Sequence, residues 1–158
     1  ALEVFNARMP RPNQIDRLRE DVRVSAADLL RVPAGPITEQ GLRVNVNVGL
    51  RYLESWLRGT GCVPIFNLME DAATCEISRT QIWQWIRHPG GTLDDGRKVT
   101  EELFRRTLGE ELDKIRADVG PGAFAAGKYD LAREVFDRVS TSDEFIDFLT
   151  LPAYEYLP

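Results

Sequence analysis

The stretch "TEQGLRVNVNVGLRYLESWLRGTG", residues 38 to 61, decides the fold class of this chain. Thr38 can cap a helix and Glu39 suits a first helical turn. Leu42, Val46, Gly49, Leu53 and Trp56 then follow at spacings of four, three, four and three, which is one stripe of a long helix. Gly49 stands on that stripe, where the absence of a Cβ lets a neighbour approach closely. Gly59 and Gly61 supply the stop.

Toward the C-terminus the helical pattern continues. "CVPIF", residues 62 to 66, reads as a short apolar crossing, because Pro64 removes a backbone donor. "NLMEDAATCEISRTQIWQWI", residues 67 to 86, reads as a second helix whose Ile82, Trp83, Trp85 and Ile86 call for deep burial. "HPGGTLDDG" is a loop. Thr100 opens a third helix with Phe104, Leu108, Leu112, Ile115 and Val119 on one face and Gly120 after it. "GPGAFAAG" is a glycine-rich link to a fourth helix holding Leu131, Ala132, Val135, Phe136 and Val139. Ser142 caps an expected final short helix, with Asp143 and Glu144 in its first turn and then Phe145, Phe148 and Leu149. The pattern predicts an all-α domain over residues 37–158, about five helices in a bundle-like arrangement.

Residues 1–36 read differently. "RMPRPNQ" and "RVPAGPITEQG" are proline-rich, and each proline moves the preceding residue away from helix. Between them Ser25 can cap a short helix over "AADLL". The expectation is an extended connector that clings to something and that continued upstream.

With 158 residues the chain suits one domain, and 43% hydrophobic with 28% charged residues is ordinary for a globular protein. A net charge of -5 argues against a nucleic-acid footprint, which needs a basic face. No apolar run is long enough to cross a bilayer. Cys62, Cys75 and the single histidine, His88, are too few for a zinc site. His88, in "RHPGG", reads as a cation at a helix C-terminus. Two cysteines without a secretory signal fit reduced thiols in the cytoplasm, and "AYEYLP" carries no peroxisomal address.

The acidic pair in "NLMEDAAT" carries two readings. In the first, Asn67 and Glu70 form a capping box, Asp71 complements the helix macrodipole and Met69 fills the core. In the second, apolar "CVPIFNLM" leads straight into the acids, so a carboxylate lies near apolar surface and can serve as a general base. Desolvation and the helix terminus act on that carboxylate in opposite directions, and pattern alone leaves the choice open.

The stretch "GLRVNVNVGLRYLESWLRGTGCVPIFNLMEDAATCEISRTQIWQWIRH" resembles the C-terminal domain of malate synthase in its shorter A-type form. "LTLPAYEYL" resembles the terminal segment of that family, and "MPRPNQ" the junction after its barrel. The resemblance implies a TIM barrel followed by a helical plug, and an enzyme of the glyoxylate cycle that joins acetyl-CoA to glyoxylate and hydrolyses the thioester to malate and CoA. It places the magnesium ligands, the glyoxylate site and a catalytic arginine in the barrel, and a general base, here Asp71, in the plug. It further implies that Met69 lines the pocket, that Glu70 caps the helix or orients a barrel arginine, and that Cys62 lies near the site. The metal then polarises the aldehyde that the enolate attacks.

No parallel strand–helix alternation occurs in these residues, so the barrel is not among them. The isolated chain is therefore expected to be inactive, an excised or separated part of a larger enzyme. Its uncovered apolar face makes self-association the expectation. The rival of another class is a non-catalytic helical module that only binds a partner. A stand-alone enzyme using Asp71 and His88 is disfavoured, because the two stand at opposite ends of one helix, roughly 25 Å apart.

Overall fold

The structure is a computed structural model that describes residues 1–31 and 34–157. The chain divides into two compact units, Ala1–Gly35 and Pro36–Pro158. The expected proline-rich extended run takes in Val32 and Pro33, and the expected domain ends at Pro158; these three lie outside the described residues.

The first unit carries two short helices, one of them the helix expected after Ser25. Leu2–Arg8 form helix α1, and the side chain of Gln14 donates to the carbonyl of Arg8 at 2.9 Å. Ser25 heads α2, Ala26–Leu30, with a full capping box: its Oγ accepts from the amide of Asp28, whose carboxylate accepts from the amide of Ser25. Neither helix buries a residue, so this unit holds no core of its own.

The second unit is built on α3, Glu39–Leu57, which packs against three other long helices. Thr38 caps it as its side chain predicts, accepting from the amide of Gly41 at 2.9 Å. Leu42, Val46 and Leu53 of the expected stripe are fully buried, and Trp56 packs against the core edge. Each full burial of such a side chain contributes about 1.5–3 kcal/mol. At Gly49 a Cβ would fall 2.3 Å from Cε2 of Phe136, so this glycine lets two helices touch.

After α3 come strands β1, Val63–Ile65, and β2, Leu68–Glu70, then α4, Ala72–Arg87. Thr100 caps α5, Glu101–Val119, by accepting from the amide of Leu103. All its predicted face is buried, with Val119 at the edge. The glycine-rich link is in fact helix α6, Pro121–Ala126. Proline is preorganised for the first helical position, alanine favours helix, and Phe124 stacks on Tyr129 with ring centroids 4.7 Å apart. Helix α7, Tyr129–Thr141, buries Ala132, Val135, Phe136 and Val139, with Leu131 at the margin. Helix α8, Thr150–Ala153, and a 3-10 turn, Tyr154–Tyr156, end the described chain.

The final helix expected at Ser142 does not form; residues 142–149 are an irregular strap across α4. Four α4 side chains at spacings of three, four and four take over its backbone groups. Oε1 of Glu76 accepts from the amide of Leu149 at 2.8 Å, and Arg79 Nη2 donates to the carbonyl of Asp147 at 3.0 Å. Trp83 Nε1 donates to the carbonyl of Ser142 at 2.8 Å, and Arg87 donates to Thr141 and Ser142. Phe145 lies edge-on to Trp83 and under the Arg79 guanidinium, 4.4 Å from it. This arrangement also corrects the expected deep burial of the α4 end. Ile82 is buried, whereas Trp83, Trp85 and Ile86 are half-buried.

The all-α reading thus describes the body of the molecule, and among the described residues the one regular β element is the two-stranded ribbon.

Candidate active site

The ribbon makes the site. Val63 pairs with Glu70, Pro64 with Met69 and Ile65 with Leu68, joined by Phe66 and Asn67. Both turn residues are left-handed, with φ of 50° and 64°. That is the backbone a two-residue hairpin prefers, because its twist matches that of the strands. Asparagine tolerates it; phenylalanine does so at a cost. The Phe66 ring lies 5.5 Å from the guanidinium of Arg51, which is itself held by Asn47 and Asp118. At the other end, the hydroxyl of Tyr52 donates to the carbonyl of Gly61 at 3.0 Å.

Alternation along the ribbon sorts the candidate residues. Val63 and Ile65 turn toward the core, Ile65 being 4% exposed. Their neighbour Pro64 and its partner Met69, 68% exposed, take the outer face. The pairing ends at Val63 and Glu70, so Cys62 and Asp71 flank the open end of the ribbon. Met69 on the ribbon and Cys62 and Asp71 at its open end are all exposed. Glu70 belongs to the opposite face, half-buried beside Val63.

Asp71 is the N-cap of α4: its Oδ1 accepts from the amide of Thr74 at 3.2 Å. This overturns the predicted capping box, since Asn67 sits in the hairpin turn and Glu70 in β2. The division of labour is also revised, because the acid that caps is Asp71 and not Glu70. Among the described residues no hydrogen bond engages Oδ2 of Asp71, so one oxygen anchors the helix and the other does not.

Beneath the ribbon, Tyr52 is fully buried, and burial raises its phenol to about 12, with Cys75, Asp71, Cys62 and Glu76 adding in the same direction. It is a neutral hydrogen-bond donor throughout the physiological range. Cys75, on the inner face of α4, is fully buried and its Sγ contacts the carbonyl of Gly49 at 3.7 Å. Burial pushes this thiol well above the usual range, so it behaves as a small apolar side chain. His88 is the C-cap of α4, and its Nδ1 accepts from the amide of Gly90 at 3.0 Å.

Sequence reasoning missed Tyr52 and Arg51 as supports and the ribbon itself. "FN" is a weak hairpin signal beside the usual Asn-Gly, so the turn was legible only through Asn67. The magnesium implied by the resemblance finds no fitting donor set here. Among the described residues no group of three or more His, Cys, Asp or Glu side chains could hold a metal ion. No described helix is long and apolar enough to cross a membrane.

The fold and site define a mostly helical domain that presents an acidic helix start at the open end of a short hairpin. Residues 36–157 match the family described as "Malate synthase, C-terminal". The chain is 52% identical to malate synthase of Myxococcus xanthus over 157 residues, covering 99% of this chain and 29% of that protein. It is 49% identical to malate synthase A of Escherichia coli, again over 99% of this chain and 30% of that protein. With the glyoxysomal malate synthase of Zea mays it shares 48% identity, over 98% of the chain and 29% of the relative. The chain belongs to the malate synthase family, as its C-terminal domain, and spans about 29% of the length of the curated relatives it matches.

Proposed function

We propose that this domain supplies the general base of an acyltransferase that condenses acetyl-CoA with glyoxylate. The observation that carries the reading is Asp71. Its carboxylate heads α4, exposed at the open end of the ribbon that bears Met69, with no hydrogen bond to Oδ2 among the described residues. In this reading Oδ2 takes a proton from the acetyl methyl group. The C–H pair becomes the enolate, whose carbon attacks the glyoxylate aldehyde; a C–C bond forms as the carbonyl π bond opens to an alkoxide. Water then cleaves the thioester to give malate and CoA.

A thioester methyl is a weak carbon acid, so the base must be held against it where water is scarce. The domain provides direction, because Asp71 is fixed by the ribbon on one side and α4 on the other. A TIM barrel of the same enzyme is the proposed partner: it closes the site, holds glyoxylate and carries the metal ligands. Met69 lines the substrate pocket, and Cys62 lies near it at the open end of the ribbon. The proposed compartment is the cytoplasm, which suits the free thiols Cys62 and Cys75. The isolated chain is inactive in this reading. Phe66, Leu68 and Met69, each more than 60% exposed, give it a tendency to self-associate.

The test is release of CoA thiol by this chain mixed with a separately produced barrel domain, magnesium, acetyl-CoA and glyoxylate. Activity that needs both parts and vanishes with Asp71→Asn supports the reading. Activity from the chain alone, or activity untouched by Asp71→Asn, overturns it.

A further inference from the structure

We infer that Tyr52 is a positioning residue for Asp71, tying the base of the hairpin to α3 and so setting where the carboxylate at its open end stands. This rests on the proposed role of Asp71 as the base.

Three observations carry it. First, the ribbon has only three residue pairs, and a two-stranded hairpin is marginal by itself. Its turn adds two left-handed non-glycine residues, so the ribbon needs an anchor outside itself. Second, Asp71 is hydrogen-bonded among the described residues only to its own helix, through Thr74. That bond fixes its distance from the helix end, and the adjoining strand sets its sideways position. Third, the strand that pairs with the segment leading into Asp71 is the one that Tyr52 holds at its start. The Tyr52 hydroxyl donates to the carbonyl of Gly61, two residues before Val63, whose partner Glu70 immediately precedes Asp71.

Tyr52 is suited to the task. It is fully buried in α3, the helix that also meets α4 through Gly49 and Cys75, so its ring cannot swing. Its phenol stays protonated through the physiological range, so it keeps the proton it donates to Gly61. Arg51, the preceding residue, contacts Phe66 at the hairpin tip. Consecutive residues of one helix therefore hold both ends of the ribbon, and the end beside Asp71 is the one held by a hydrogen bond.

The variant that tests this is Tyr52→Phe, which keeps the ring in the core and removes one donor. On this chain the readout is amide hydrogen exchange by NMR. The Thr74 amide, bonded to Asp71 Oδ1, and the amides of residues 61–70 other than Pro64 should exchange roughly two- to tenfold faster, the span that one lost hydrogen bond covers. The amides of Leu108 and Leu112 on α5 should stay unchanged. An equal acceleration at Leu108 and Leu112 means a general loss of stability and overturns the inference; so does an unchanged Thr74 amide. The second readout is steady-state kinetics of the assembled enzyme, with Asp71→Asn in parallel. Turnover of Tyr52→Phe should fall about tenfold, with KM for acetyl-CoA within about twofold, as expected for a misplaced base and intact binding. If Asp71→Asn is inactive and Tyr52→Phe turns over like the unaltered enzyme, the inference about Tyr52 fails alone. If Asp71→Asn is active, the reading of Asp71 as the base fails, whatever the exchange data say.

Discussion

Replacing Gly49 by alanine tests the packing on which the domain rests. A Cβ built there would lie 2.3 Å from Cε2 and 2.5 Å from Cζ of Phe136, where ordinary carbon contacts are 3.4–4 Å. Either the ring or α3 must move by more than about 1 Å, and Phe136 is fully buried, with Phe104 on its other flank at 6.2 Å between ring centroids. Overpacking of this kind typically costs about 1–3 kcal/mol, and two close ring atoms put this site near the upper end. Alanine recovers about 1 kcal/mol of helix propensity in the middle of α3. The net expectation is a loss of about 1–2 kcal/mol, seen as a lower urea midpoint with unchanged m-value and a Tm about 2–8 °C lower. A double-mutant cycle sharpens the test. In a Phe136→Leu background the ring atoms are gone, so Gly49→Ala should become neutral or stabilising, with a coupling of at least about 1 kcal/mol. A Gly49→Ala protein as stable as the parent, with no coupling to position 136, would refute the claim that this glycine exists to admit Phe136.

Three further outcomes follow from particular contacts. Asp71→Ala removes the α4 cap and should cost about 1 kcal/mol in urea denaturation, whereas Asp71→Asn keeps an oxygen for Thr74 and should stay within about 0.5 kcal/mol; equal losses would contradict the cap. Glu111 is 3% exposed: burial alone would raise its carboxyl, yet hydrogen bonds from Lys114, Asn47 and Arg43 outweigh that and hold it below its ordinary 4.5. Its contribution is present above that value and is lost as pH falls below it, so Glu111→Gln should flatten the decline of stability below about pH 4.5, and an unaltered pH profile would count against the network. Finally, Cys62 is exposed and Cys75 buried, so a thiol reagent should modify one cysteine per native chain and both after unfolding; two fast-reacting native thiols would contradict the packing of α4 on α3.

Much of the helical body is legible in the chain itself, because its signals are local. Thr38 and Thr100 cap the helices they precede, Ser25 forms its box with Asp28, and the stripes of α3, α5 and α7 are the faces that become the core. A capping hydroxyl and a 3.6-residue period act within a turn or two, so neighbouring residues suffice to set them. The close approach at Gly49 is legible for a related reason: the missing side chain lies on the buried stripe.

Where local signals compete, the fold arbitrates. Asn67 with Glu70 has the spacing of a capping box, yet asparagine equally suits a left-handed turn. Burial of Ile65, the Arg51–Phe66 contact and the Tyr52–Gly61 bond favour the hairpin, which moves the cap to Asp71. Ser142, Asp143 and Glu144 carry a helix-start pattern as well. That helix is displaced because Glu76, Arg79, Trp83 and Arg87 satisfy the strap's backbone groups from α4. The chain by itself thus determines its long helices, its caps and its resemblance to malate synthase. Tertiary structure decides the ribbon and the strap: the strap's backbone partners on α4 stand more than fifty positions away, and the ribbon prevails over the competing capping box only through its packing on α3, which no local pattern can encode.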